Sequence, residues 1–122
     1  MTEKTEKYDR FLRMLGLARR AGRVAIGTPL SLQALHKGRA RLLIVCEEAS
    51  EQTKKKMRTQ AEYYRIPLIV LKLPQQEFSH LLGKQAPVVS VAVTDDGFAT
   101  ELLKSSGKED SENSEHGIDL WQ

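Results

Sequence analysis

The chain has 122 residues, 40% of them hydrophobic, which suits one domain with a modest core. No apolar run approaches the roughly 20 residues that span a bilayer, and the single cysteine, Cys46, excludes an internal disulfide framework. Charge is unevenly placed: residues 1–104 hold 18 Lys and Arg against 11 Asp and Glu, a net of +7, while residues 105–122 hold one lysine against five acids, a net of −4. The overall +3 therefore conceals a basic body, which favours a polyanionic partner such as nucleic acid. The opening "MTEKTEKYDR" has no apolar signal-peptide core, so a cytoplasmic location is expected.

Tyr8, Phe11, Leu12, Leu15 and Ala18 recur at helical spacing and predict a first helix over about 4–21, with Arg10, Arg13 and Arg20 pointing elsewhere. A short strand follows over 24–26. In "AIGTPLSLQALHKG", Gly27 permits a tight turn, Thr28 is a candidate cap and Pro29 fits the first helical position, where a missing N–H costs nothing. The helix begun there should end at Gly38, with Leu30, Ala34 and Leu35 toward the core. "RLLIVC", 41–46, reads as a buried strand. Ser50 should cap a third helix to about 65, with Thr53, Met57, Ala61 and Tyr64 inward and Lys54, Lys55 and Lys56 on a solvated face.

"IPLIVL" supplies a strand over 67–71, a short helix after Pro74 ends near Gly83, and "PVVSVAV" supplies a strand over 88–93. Asp95 should cap a last helix to about 104, with Phe98, Leu102 and Leu103 inward. Strands alternating with helices predict an α/β fold, a three-layer α-β-α sandwich. Residues 1–104 form the expected domain, and 105–122 an acidic, disordered tail. The apolar end of that tail, Ile118, Leu120 and Trp121, either docks on a protein partner or packs on its own domain.

Catalytic patterns are missing. Neither a phosphate-loop lysine motif nor a dinucleotide glycine fingerprint occurs, and His36, His80 and His116 lack metal-ligand spacing. Cys46 reads as a core residue at a strand end rather than a nucleophile. Glu47 and Glu48 are adjacent, so they diverge and suit capping and loop solvation better than acid/base work. No enzyme activity, metal or cofactor is expected.

Two turns remain. The first opens the second helix, where free N–H groups and the positive end of the helix dipole attract anions. Pro29, Gln33, His36 and Lys37 share its exposed face, with Arg19, Arg20, Arg23, Arg39 and Arg41 near in sequence. The second is "LGKQAPVV", 82–89, a polar loop from a helix-ending glycine to a strand.

The stretches "LGLARRAGR", "IGTPLSLQALHKGRARLLIV", "EEASEQTKKKM", "YYRIPL" and "LLGKQAPVVSVAVTDDGFA" resemble the kink-turn-binding ribosomal protein superfamily over about residues 8–104, and within it the bacterial YlxQ-type proteins. The resemblance implies a sandwich with a mixed sheet of about four strands that binds structured RNA in a ribosome- or translation-associated role, commonly a kinked internal loop with sheared G·A pairs. A kinked RNA exposes base edges that a regular A-form helix hides.

The resemblance further implies that the start of the second helix enters the opened groove and that the loop before the last strand covers a flipped-out nucleotide. The RNA-binding residues it implies here are Gly27, Thr28, Pro29 and Gln33, with Lys84, Gln85, Ala86, Pro87 and Val88, and Lys37 on the exposed helix face and Arg39 beside it are expected to add phosphate contacts. Where the family carries small-Asn-Glu-x-x-Lys after the glycine, this chain has Thr28, Pro29, Leu30 and Gln33. Base-edge contacts supply about 1–3 kcal/mol of discrimination each, so reading of the G·A pairs should be weaker. The alternative is a protein-interaction module that keeps the fold without specific kink-turn reading.

Overall fold

A computed structural model describes residues 3–106 and 118–119. In chain order the elements are α1 (Glu3–Arg20), β1 (Val24–Ile26), α2 (Thr28–His36), β2 (Leu42–Cys46), α3 (Glu51–Tyr64), β3 (Leu68–Leu71), α4 (Gln75–Leu81), β4 (Ser90–Val93), α5 (Asp96–Ser106) and β5 (Ile118–Asp119). The strands form one sheet in the order β1-β4-β2-β3-β5. The two pairs β1/β4 and β2/β4 are antiparallel, and β2/β3 and β3/β5 are parallel. A parallel pair cannot be closed by a hairpin, and α3 is the crossover between β2 and β3.

The sandwich follows from the pleat. Every residue of β2 is buried, and alternate side chains go to opposite faces. Leu42, Ile44 and Cys46 join Phe11 and Leu15 of α1, Phe78 of α4 and Leu102 of α5 in one core. Leu43 and Val45 join Ala34 and Leu35 of α2 and Met57 and Ala61 of α3 in the other. A strand covered on both sides has no polar face, which is why "LLIVC" lacks alternation.

Three expectations are corrected. Leu30 is not a core residue but is 52% exposed, because the helix buries Ser31, Ala34 and Leu35 and Leu30 lies off that stripe. Tyr64 is exposed at the last turn of α3, its ring edge-on to Tyr63. Lys54 is not part of a solvated face: its ammonium donates to the Glu47 carbonyl at 3.0 Å and pairs with Glu51 at 3.0 Å. Lys55 and Lys56 are exposed, as expected.

The capping expectations fare better. The Ser50 hydroxyl accepts from Thr53 N–H, and the Asp95 carboxylate accepts from Phe98 N–H at 2.9 Å. α5 continues to Ser106, and both Ser105 and Ser106 are buried. The sheet gains a two-residue edge strand, β5, beyond the four strands expected, with Ile118 opposite Ile69 and Asp119 opposite Val70. The rest of the expected tail, 107–117 and 120–122, lies outside the described residues.

Candidate nucleic-acid interface

The two turns meet at one residue, Ser90, the first of β4. β1 pairs antiparallel with β4, with Ile26 opposite Val91, so the chain leaving β1 turns upward beside Ser90. Gly27 N–H donates to the Ser90 carbonyl at 2.8 Å, and the Thr28 and Ser90 hydroxyls lie 2.9 Å apart. The loop 84–89 runs directly into Ser90, so the start of α2 and the end of that loop are joined by one backbone and one side-chain hydrogen bond. Ser90 is fully buried. It went unrecognised in the sequence, although one polar residue inside the apolar run "PVVSVAV" is itself a signal, since a buried hydroxyl needs a partner.

The α2 start differs from an ordinary anion-binding helix terminus. Gly27 is the N-cap, with φ 97° and ψ 155°, and no side chain caps the helix. Thr28 is therefore the first helical residue rather than the cap, and its hydroxyl goes to β4. Of the N–H groups a helix leaves unpaired at its start, Gly27 uses its own on Ser90 and Pro29 has none. The amides of Thr28 and Leu30 remain for a ligand. Pro29, Leu30 and Gln33 are exposed around them.

The second turn is held from behind. Ser79 of α4 is buried, and its hydroxyl donates toward the Gln75 and Val88 carbonyls and accepts from Val88 N–H at 2.9 Å. Lys84 N–H bonds the Ser79 carbonyl at 2.9 Å, and Cys46 N–H bonds the Val89 carbonyl at 2.7 Å. Both ends of the loop are thus tied to the scaffold, while Lys84, Gln85, Ala86 and Pro87 are exposed. Gly83, with φ +72°, admits Arg19: a Cβ there would sit 3.0 Å from the guanidinium. Arg19 Nε is buried with no hydrogen-bond partner among the described residues.

The other expected residues lie elsewhere. Lys37 is the C-cap of α2 and Arg39 follows it, so both are one helix length, about 13 Å at 1.5 Å per residue, from Gly27. Arg41 and Arg23 flank the opposite end of β4, with Arg41 N–H on the Val93 carbonyl and the Arg23 carbonyl on Thr94 N–H. Arg41 is further committed to Asp96 at 3.0 Å and to the Gly38 carbonyl at 2.9 Å. His36 turns toward α3, where it meets Gln60 at 3.1 Å and the Tyr64 ring. The structure therefore joins Gly27 and Thr28 to Ser90, where the loop 84–89 ends, with Pro29 and Gln33 exposed on the same helix, and separates Lys37 and the arginines Arg23 and Arg41 from that junction.

Nothing in the described residues forms a catalytic constellation. Glu48 accepts from Gln75 N–H at 2.7 Å and so caps α4, and Glu47 pairs with Lys72 at 2.8 Å. Cys46 is fully buried, its thiol donating to the Leu73 carbonyl, and burial pushes its pKa up, away from a thiolate nucleophile. No group of three or more His, Cys, Asp or Glu among the described residues could hold a metal ion, and no helix among them is long and apolar enough to cross a membrane.

A covered sheet presenting two anchored turns defines a binding scaffold of the ribosomal-protein α-β-α type. The chain belongs to the ribosomal protein L7Ae/L30e/S12e/Gadd45 family, whose model matches residues 9–103. It is 39% identical over 90 residues to RNA-binding protein YlxQ of Bacillus subtilis (strain 168), covering 74% of this chain and 88% of that protein. It is 33% identical over 88 residues to RNA-binding protein YlxQ of Enterococcus faecium, covering 72% and 82%. A solved structure described as a protein with unknown function from Bacillus halodurans C matches with a TM-score of 0.72 at 30% identity, covering 79% of this chain and 95% of that one. With this membership the chain is a non-enzymatic protein.

Proposed function

We propose that this protein binds structured RNA in the cytoplasm, in a ribosome- or translation-associated role, through the α2 start and the loop 84–88. The observation that carries the reading is the junction at Ser90, which holds the two turns side by side. The basic balance of residues 1–104, which form the RNA-binding unit, and the name shared by two relatives support it. The RNA is of the kink-turn or a related internal-loop type, because the two turns adjoin at Ser90 and a kinked RNA exposes base edges that the deep, narrow groove of a duplex hides.

The side chains present set how the RNA is read. Pro29 and Leu30 offer apolar surface where the family pattern has an amide and a carboxylate, and Gln33 is neutral. The Thr28 and Leu30 amides and Lys84 grip the backbone, and Gln33 and Gln85 supply neutral donors and acceptors for base edges. Phosphate contacts then dominate affinity, and binding falls steeply with salt. A gel shift comparing a kink-turn RNA with a straight duplex tests this. Preferential binding of the kinked RNA is expected, and equal or absent binding of both at low salt overturns the kink-turn reading.

A second reading, a protein-interaction module, draws on one observation: Leu30, half-exposed next to Pro29, makes an apolar step on the same face. Leu30→Lys separates the two. RNA affinity that is kept or raised fits the RNA reading, and loss of a protein partner with unchanged RNA affinity fits the module.

A further inference from the structure

On the face away from α2, a shallow apolar groove runs between α1 and α4. One stretch of about 390 Å³ is lined by Leu12, Leu73, Gln76, Glu77, His80 and Leu81, and a second of about 360 Å³ continues along α1 past Gly16 and Leu17. Leu17 is 44% exposed there, and Arg13 and Arg20 edge the same groove. The β3 edge lies next to it: Leu73 is two residues past the end of β3, and Tyr8 of α1 donates to the Lys72 carbonyl at 3.1 Å.

β5 reaches this edge. It consists of Ile118 and Asp119, paired parallel to Ile69 and Val70. Two residues of pairing are a weak anchor, because ordering each backbone residue costs about as much as a hydrogen bond returns. Something beyond the pair must hold the segment. β5 runs parallel to β3 and so points toward the Leu73 end of that edge, where the groove opens. An indole buries roughly 150–250 Å², a fitting load for a groove of this size. The acids that precede it, Glu109, Asp110, Glu112 and Glu115, complement the arginines at the rim.

We infer that the α1/α4 groove is the dock for the chain's own segment Leu120–Trp121, which latches β5 onto the sheet and covers the β3 edge. An uncovered apolar edge strand invites pairing with other chains, so the latch keeps the protein monomeric. This inference does not depend on RNA binding.

Trp121 is the one tryptophan in the chain, so its fluorescence reports its surroundings without ambiguity. In the full-length protein the account predicts emission blue-shifted from that of free N-acetyltryptophanamide and several-fold less acrylamide quenching. A nitroxide at Glu77→Cys, in a Cys46→Ser background, should quench Trp121, and one at Lys55→Cys on α3 should not. Leu81→Asp in the groove wall should red-shift the emission. The nitroxide pair decides the matter if that variant fails to fold, because both labels sit at exposed positions. Solvent-like emission with no selective quenching overturns the proposal. Burial that vanishes on dilution overturns it too, in favour of a second copy's tail as occupant.

Discussion

Gly27 shows how one residue sets the interface. Its φ of 97° and ψ of 155° lie in a region that only glycine adopts without strain, and a Cβ there would meet nothing within 4 Å. The cost of Gly27→Ala is therefore conformational rather than steric, about 1–3 kcal/mol, read as a lower urea midpoint. RNA affinity should fall with it, since the turn that presents the Thr28 and Leu30 amides depends on this conformation. Cys46 carries a pH prediction. Its thiol has a pKa raised above 9.0 by burial, so the folded state holds its proton where the unfolded state has begun to lose it. The contribution to stability is full below that value and declines as pH rises above it. Urea midpoints taken from about pH 8 to about pH 10 should fall, and Cys46→Ala should flatten that decline. Tyr8, whose phenol is also raised from 10.0 by burial and then by Glu77 and Asp9, adds to the fall at the alkaline end.

At the scale of elements, the loop 84–88 depends on α4 through Ser79. Ser79→Ala leaves the Val88 N–H without its partner, a loss of about 1–3 kcal/mol for a buried group. Thermal melting measures that, and weaker RNA binding beyond the change in stability shows that the loop must be held in place. Most elements were legible in the sequence because apolar runs and capping residues are local signals. "RLLIVC", Ser50 and Asp95 predict β2 and the starts of α3 and α5 to within a residue or two. Leu30 was misread because the buried stripe of a nine-residue helix is set by its packing partner, here β4, and not by its own few apolar residues. The meeting of the two turns is legible only through the resemblance, which sets both against one RNA. It arises from β1 pairing with β4 across more than sixty residues of chain, and no local pattern encodes that register.

For the whole molecule, the sheet separates two sets of charges that a linear reading groups together. Arg23 and Arg41 sit at the end of β4 opposite Ser90, Arg41 is held by Asp96, and Arg39 bonds back to the α2 end at Ala34. Lys84 sits beside the turns. Lys84→Glu should therefore weaken RNA binding and reduce the slope of log affinity against log salt by about 1. Lys37→Glu should do so only if the RNA extends the full length of α2, and filter binding across a salt series distinguishes these outcomes. The account's central claim is that RNA is met where the α2 start and the loop 84–88 adjoin at Ser90. The most direct test is to map backbone amide chemical shifts by NMR as a kink-turn RNA is titrated into the full-length protein. The prediction is that the changes cluster at residues 27–33 and 84–90. Changes confined to the α3 lysines or to the Arg23–Arg41 end of the sheet, or none at saturating RNA, would contradict it.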